Sequence, residues 1–233
     1  MEDYMPKVIE CIDLNQNKPL NQIIYEGLRT AIISGIIPMG ERINEKQYAD
    51  ALNVSRTPVR EALHRIQDEE IVEYIPNCGI VVSTFSRADV EEIYQIRTAL
   101  DILASTNAMK LLTKEKEEHM EQLLQKTEAA QERGDVQLVI EMSKEFNTTI
   151  YEFAEMPRLE TIQNKLRDYI IRFRDISLTS FDRRQRALEE HRLIFRCMKN
   201  GNVEQMEMVI TEHLEHSKAF ILLEMDKQLK NES

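Results

Sequence analysis

The sequence is short of the residues that build loop-rich or covalently stapled folds. Glycine and proline number six each in 233 residues, too few for a sandwich of many short strands and turns. Tryptophan is absent and cysteine occurs three times. Cys11, Cys78 and Cys197 are scattered and odd in number, so they form no disulfide framework and no paired metal motif, and read as reduced thiols. Cys78 falls in a predicted turn. No run approaches the ~18 consecutive apolar residues of a membrane span, so no membrane partner is expected. The opening residues Met1-Glu2-Asp3-Tyr4 lack the basic and apolar regions of a secretion signal, which points to the cytoplasm.

A basic excess is missing as well. Net charge is −11, but residues 18–85 carry 7 Lys/Arg against 9 Asp/Glu, whereas residues 86–233 carry 22 against 28. The acid is thus concentrated outside the first of these regions. A polyanion-binding protein needs a basic face rather than a basic total, so binding of nucleic acid by residues 18–85 stays open, with weak non-specific attraction.

What the sequence does have is helical periodicity. Residues 1–17 show no clear period and read as a flexible arm. From Leu20, the positions Ile23, Ile24, Leu28, Ala31 and Ile32 follow helical spacing up to Ser34-Gly35. A second helix starts at Asn44, which with Gln47 makes a capping-box-like pair, and ends near Asn53. Ser55 is the expected cap of a third helix, in which Val59, Ala62, Leu63 and Ile66 form one buried stripe. Two β-branched runs, 71–75 and 80–83, flank Pro76-Asn77-Cys78-Gly79 and predict a hairpin. Three helices and a hairpin in this order describe a winged helix-turn-helix.

Beyond Ser86 only helical patterns follow, at about 87–112, 114–133, 136–154, 158–178, 183–199 and 203–230. On the first, Val90, Ile93, Ile96, Leu100 and Leu103 mark the apolar face. The expected fold is therefore mainly α: an arm (1–17), a winged helix-turn-helix (18–85), and an all-helical antiparallel bundle (86–230).

In such a motif the second helix enters the major groove. Arg56 and Arg60, four residues apart, share one face of it, and guanidinium groups suit bidentate contact with guanine. Ser55 and Thr57 suit phosphate oxygens at the positive helix end. Gly79 at the hairpin tip allows close backbone approach.

Gly35-Ile36-Ile37-Pro38-Met39-Gly40-Glu41-Arg42-Ile43, followed by Asn53-Val54-Ser55-Arg56-Thr57-Pro58-Val59-Arg60-Glu61-Ala62-Leu63, resembles the signature of bacterial GntR-family transcription regulators. The helical remainder is similar to the FadR subfamily, with its ligand-sensing FCD domain, and the resemblance covers about residues 18–228. It implies operator DNA as partner, contacted by Ser55, Arg56, Thr57, Arg60, Lys46 and the wing at Gly79. It also implies a homodimer, since one such motif reads only a few base pairs. Lys46 replaces an arginine of some relatives and suits a phosphate contact. Glu70 stands where the family usually has glycine, which bears on how the recognition helix ends.

The resemblance further implies a small organic acid effector in the helical domain, beside a divalent metal such as Zn or Ni held by one Asp and three His. His191 and His213 match two of those histidines. They lie eight residues before and eleven after the turn at 199–202, roughly 12 and 16 Å from it, so their rings reach similar levels on antiparallel helices. Ser143 and Asn147 stand where the Asp and the remaining His belong, and two imidazoles with a neutral amide bind such metals weakly. The readings of His191, His213 and Asn147 are thus metal ligands, a metal-free polar pocket gripping the effector directly, or packed core histidines. Arg97 either neutralises an effector carboxylate or pairs with Asp101 at the surface. Arg172 and Arg174 are further candidates, while His64, His119 and His216 show no partner pattern. Two other functions stay open: a metal-dependent enzyme built on His191 and His213, for which no nucleophile–base pair is legible, and a helical scaffold indifferent to ligand.

Overall fold

The computed structural model describes residues 4–163, 166, 178 and 180–231. The chain divides into two compact units, Met1–Phe85 and Ser86–Ser233.

The first unit holds helices α1 (Met5–Glu10), α2 (Leu20–Ile33), α3 (Glu45–Ala51) and α4 (Arg56–Asp68), and strands β1 (Arg42–Ile43), β2 (Val72–Ile75) and β3 (Gly79–Val82). The strands form one antiparallel sheet in the order β1-β3-β2. Val59, Ala62, Leu63 and Ile66 of α4 are fully buried against the face of α2 that carries Ile24 and Leu28. Burial of each large side chain of this kind contributes about 1.5–3 kcal/mol. Asn44 caps α3 by accepting from the Lys46 and Gln47 amides. Ser55 occupies the N-cap of α4, but its side chain makes no capping bond.

The segment expected as a flexible arm is part of this core. Val8 and Ile12 are buried with Ile23, Ile24 and Leu28, because α2 presents Gly27 to them. A Cβ on Gly27 would stand 2.7 Å from the Cys11 carbonyl oxygen and collide with the Ile12 side chain. Two apolar residues four apart leave too faint a period to be read. Glu70, just beyond α4, adopts φ 60°, a left-handed conformation that a side chain disfavours and glycine does not.

The second unit is a helical bundle of α5 (Arg87–Lys110), α6 (Lys114–Glu132), α7 (Val136–Ala154), α8 (Phe181–Lys199) and α9 (Val203–Asn231). A further helical stretch covers residues 157–163; of the helix expected to residue 178, residues 164, 165 and 167–177, Arg172 and Arg174 among them, lie outside the described residues. Ser86 and Asp89 form a reciprocal capping box on α5, and Thr113, Asp135 and Ser180 cap α6, α7 and α8. α5 packs on α7 and α9, and α6 packs on α7 and α8. The buried face of α5 differs from the expected one. It runs through Val90, Ile93, Tyr94, Arg97, Ala104 and Ala108, whereas Ile96 and Leu103 are 39% and 47% exposed. No helix among the described residues is long and apolar enough to cross a membrane.

Candidate functional site

Two clusters of polar side chains stand out, one in each unit. In the first, α4 has two polar flanks in opposite states. On the α2 side Glu61 accepts from Asn21 at 2.9 Å, Arg65 donates to Gln22 at 2.7 Å and lies over the Tyr25 ring, and Glu69 accepts from Arg29 at 2.7 Å and from the Tyr25 hydroxyl. On the other flank Arg56, Thr57, Arg60 and His64 are exposed. None of these four makes a side-chain hydrogen bond or ion pair with a described residue. The Ser55 hydroxyl, unused as a cap, and the Lys46 ammonium at the start of α3 are equally available. His64 continues the i, i+4 row of Arg56 and Arg60, a position the sequence reading set aside for want of a partner pattern.

The wing tip is a tight turn. The Cys78 amide donates to the Ile75 carbonyl at 3.1 Å across Pro76-Asn77, and Asn77 has φ 66°, which together make a type II turn. Gly79 follows at φ 99°.

In the second unit a small cavity of about 20 Å³ is lined by Arg97, Ser143, Asn147, Arg183, His191 and His213, among others. By size it holds about one water. A second small cavity shares Asn147 and His213 with it and adds Asp101, Ile150, Ile194 and Ile210. Arg97 is 5% exposed, and its Nε donates to Asp101 at 3.2 Å, while Tyr151 donates its hydroxyl to the other Asp101 oxygen at 2.7 Å. The pair with Asp101 exists, but it is buried rather than at the surface, and Arg97 lines the cavity.

Two residues of that lining, Arg183 and His213, meet at Glu190. Its carboxylate receives Arg183 Nη1 at 3.1 Å, His213 Nδ1 at 2.6 Å and His216 Nδ1 at 2.7 Å. Arg183 Nη2 also reaches Ser217 Oγ at 2.7 Å. Burial alone would raise the Glu190 carboxyl, yet hydrogen bonds and charge from His213, Arg183 and His216 outweigh it and hold the group at about 2. His213 is pushed below its ordinary value by burial, aided by the charges of Arg183 and Arg97, against the opposing pull of Glu190. A neutral His213 donating from Nδ1 to the carboxylate carries its lone pair on Nε2. His191 stacks on Phe146 with ring centroids 4.1 Å apart, and its ring lies 4.9 Å from that of His213. The antiparallel-helix estimate thus brings the right pair of rings together. Asn147 donates its amide nitrogen to the Ser143 carbonyl at 3.0 Å, which leaves its carbonyl oxygen as the other hydrogen-bonding end.

Residues 92–216 match the family described as "FCD domain", and residues 20–82 match "Bacterial regulatory proteins, gntR family". The chain belongs to the GntR family. Among its relatives, the HTH-type transcriptional regulator YdhC of Bacillus subtilis is 29% identical, over 87% of this chain and 91% of its own. The HTH-type transcriptional repressor RspR of Escherichia coli is 29% identical, over 87% and 89%. The fold is shared with E. coli McbR/YncC, at TM-score 0.70 and 23% identity over 88% of this chain and 98% of that one. A regulator from Rhodococcus gives 0.69 and 21%, over 87% and 97%. This GntR-family protein is a DNA-binding transcription regulator with an FCD domain, not an enzyme.

The divalent metal that the FCD resemblance implies finds a poor donor set here. In the cavity that Arg97 and Arg183 also line, His191, His213 and Asn147 offer two imidazoles and a neutral amide, with no carboxylate among them. Glu190 is already shared by three cations or hydrogen-bond donors. Among the described residues no group of three His, Cys, Asp or Glu is arranged to hold a metal. The residues do not fit the ion. In this GntR-family chain the sequence reading overlooked Arg183, Glu190 and Ser217. Their signal is spacing: Arg183 and Glu190 are i, i+7 on α8, and His213, His216 and Ser217 are i, i+3, i+4 on α9.

Proposed function

We propose that this regulator acts in the cytoplasm as a homodimer on operator DNA, and that a small organic anion in the helical unit tunes that binding without a metal. The observation that carries the DNA part is the divided surface of α4. One polar flank is tied to α2, and Arg56, Thr57 and Arg60 are left for base edges and phosphates. Ser55, Lys46 and the Gly79 backbone supply further backbone contacts. The exposed Ile96 and Leu103 on α5 support a subunit interface.

The anion reading rests on Arg97 and Arg183, two buried guanidiniums lining one cavity, with Asn147, His191 and His213 beside them; as that cavity holds only about one water, an acid enters only in a conformation in which the helices part around it. Their carboxylate partners keep the empty cavity near neutrality, and an anion completes the unused donor positions of both forks. The effector changes operator affinity only as far as it prefers one conformation of the protein over another.

The test is footprinting on a duplex selected by the protein from a random library, with a panel of short mono- and dicarboxylates, with and without a chelator. A protected site that shrinks or strengthens with one acid, and is indifferent to the chelator, supports the reading. A response that vanishes on chelation removes the metal-free part, and protection that no acid alters removes the effector part.

A further inference from the structure

The hairpin of the wing has no cation of its own. Its turn reads Ile75-Pro76-Asn77-Cys78-Gly79, and the only charged residue on β2 and β3 is Glu73. A wing that approaches DNA without positive charge releases no counterions, so it adds nothing to the salt-dependent part of the affinity. The neighbouring strand carries that charge. Arg42 of β1 stands opposite Val81 of β3, so both side chains point to the same face of the sheet. Gly79, two residues along β3, shares that face. Arg42 Nε lies 3.9 Å from where a Cβ on Gly79 would stand. The arginine therefore runs diagonally across β3 to the wing tip, over the one position there without a side chain. It is exposed and makes no side-chain hydrogen bond or ion pair with a described residue.

We infer that Arg42 is a DNA-phosphate contact of the wing, lent by β1 to a hairpin that lacks one. The inference rests on the docking of α4 and the wing on DNA described above. Arg42 then contributes affinity without sequence preference, in contrast to Arg56 and Arg60.

The experiment measures binding against salt for the full chain, on a duplex selected from a random library and on its scrambled version. Arg42→Gln and Arg42→Ala are expected to weaken both duplexes severalfold and by the same factor. The slope of log K against log salt should fall by about 0.9, at unchanged Tm, and Arg42→Lys should keep the wild-type slope. A folded Arg42→Gln protein with wild-type slope overturns the inference, as does a loss confined to the selected duplex. A fall in Tm for both neutral variants shows a structural role and overturns it too. Arg56→Ala separates the levels. If it keeps the preference for the selected duplex, the docking reading itself fails; if it loses that preference while Arg42→Gln behaves as wild type, only the role of Arg42 fails.

Discussion

Arg56 and Arg60 in the N-terminal unit stand in water with no partner among the described residues, whereas Arg97 and Arg183 in the C-terminal unit are 5% and 6% exposed and each is tied to a carboxylate. The difference follows from what each unit has to bind. A duplex is a polyanion that brings its own counter-charge, so the arginines that meet it can wait solvated at little cost. A cavity has to hold its arginines out of water before any ligand arrives, and a buried charge without a partner is expensive. On the proposed reading, the first unit keeps its function on a surface that stability does not need, and the second builds its function into its core.

The sharpest way to break this contrast is one substitution made in both places. Arg183→Ala takes the one permanent cation from the buried Glu190, leaving it only His213 and His216, and is expected to cost about 3–5 kcal/mol of stability, read by denaturant unfolding. Arg56→Ala and Arg60→Ala should each stay within about 0.5 kcal/mol of wild type in stability while losing about 1–3 kcal/mol of operator discrimination. If Arg183→Ala unfolds like wild type, the cavity is wetter than its geometry implies and the contrast collapses.

Acid is expected to act on the buried cluster of the second unit. The Glu190 carboxyl is depressed, so its contribution is present above the unfolded value near 4.5 and is lost as pH falls towards about 2. His213 is also depressed, so the unfolded chain takes up its proton first, and stability begins to fall below about 6.5. The Tm of the full chain should decline in these two windows. Glu190→Gln should flatten the lower one, and an unchanged acid limb in that variant would show that other carboxylates govern it.

A smaller effect is expected in the first unit from Gly27→Ala, which forces a methyl against the Cys11 carbonyl and Ile12 and should cost about 1–3 kcal/mol. A neutral result would mean that α1 shifts freely on α2. The smallest effect has the opposite sign. Glu70→Gly relieves the left-handed backbone at φ 60° and should stabilise by about 0.5–1 kcal/mol, seen as a modest rise in Tm with DNA binding intact.

The elements that were legible in the sequence are those whose cause is local. Val59, Ala62, Leu63 and Ile66 mark α4 because helical spacing alone determines which side chains share a face, and Asn44 marks the start of α3 because a cap bonds within its own turn. The pairing of His191 with His213 could be estimated because one short turn joins their helices. What escaped depends on partners distant in sequence. The two-residue β1 exists only through β3. The helical α1 is buried only because Gly27 lets it approach. Arg183 and Glu190 read as an ordinary solvated helix face until α9 brings His213, His216 and Ser217 against them. Ile96 and Leu103 misled for a related reason: periodicity finds an apolar face but not what covers it.

The seating of α1 on Gly27 has a practical side. The family match starts at residue 20, which makes Leu20 the tempting place to begin an isolated DNA-binding fragment. Such a fragment would lose Val8 and Ile12 and open a notch beside Ile23 and Leu28. Its affinity for DNA would then report on a damaged head. A faithful fragment keeps α1 and follows the bounds of the compact unit, Met1 to Phe85.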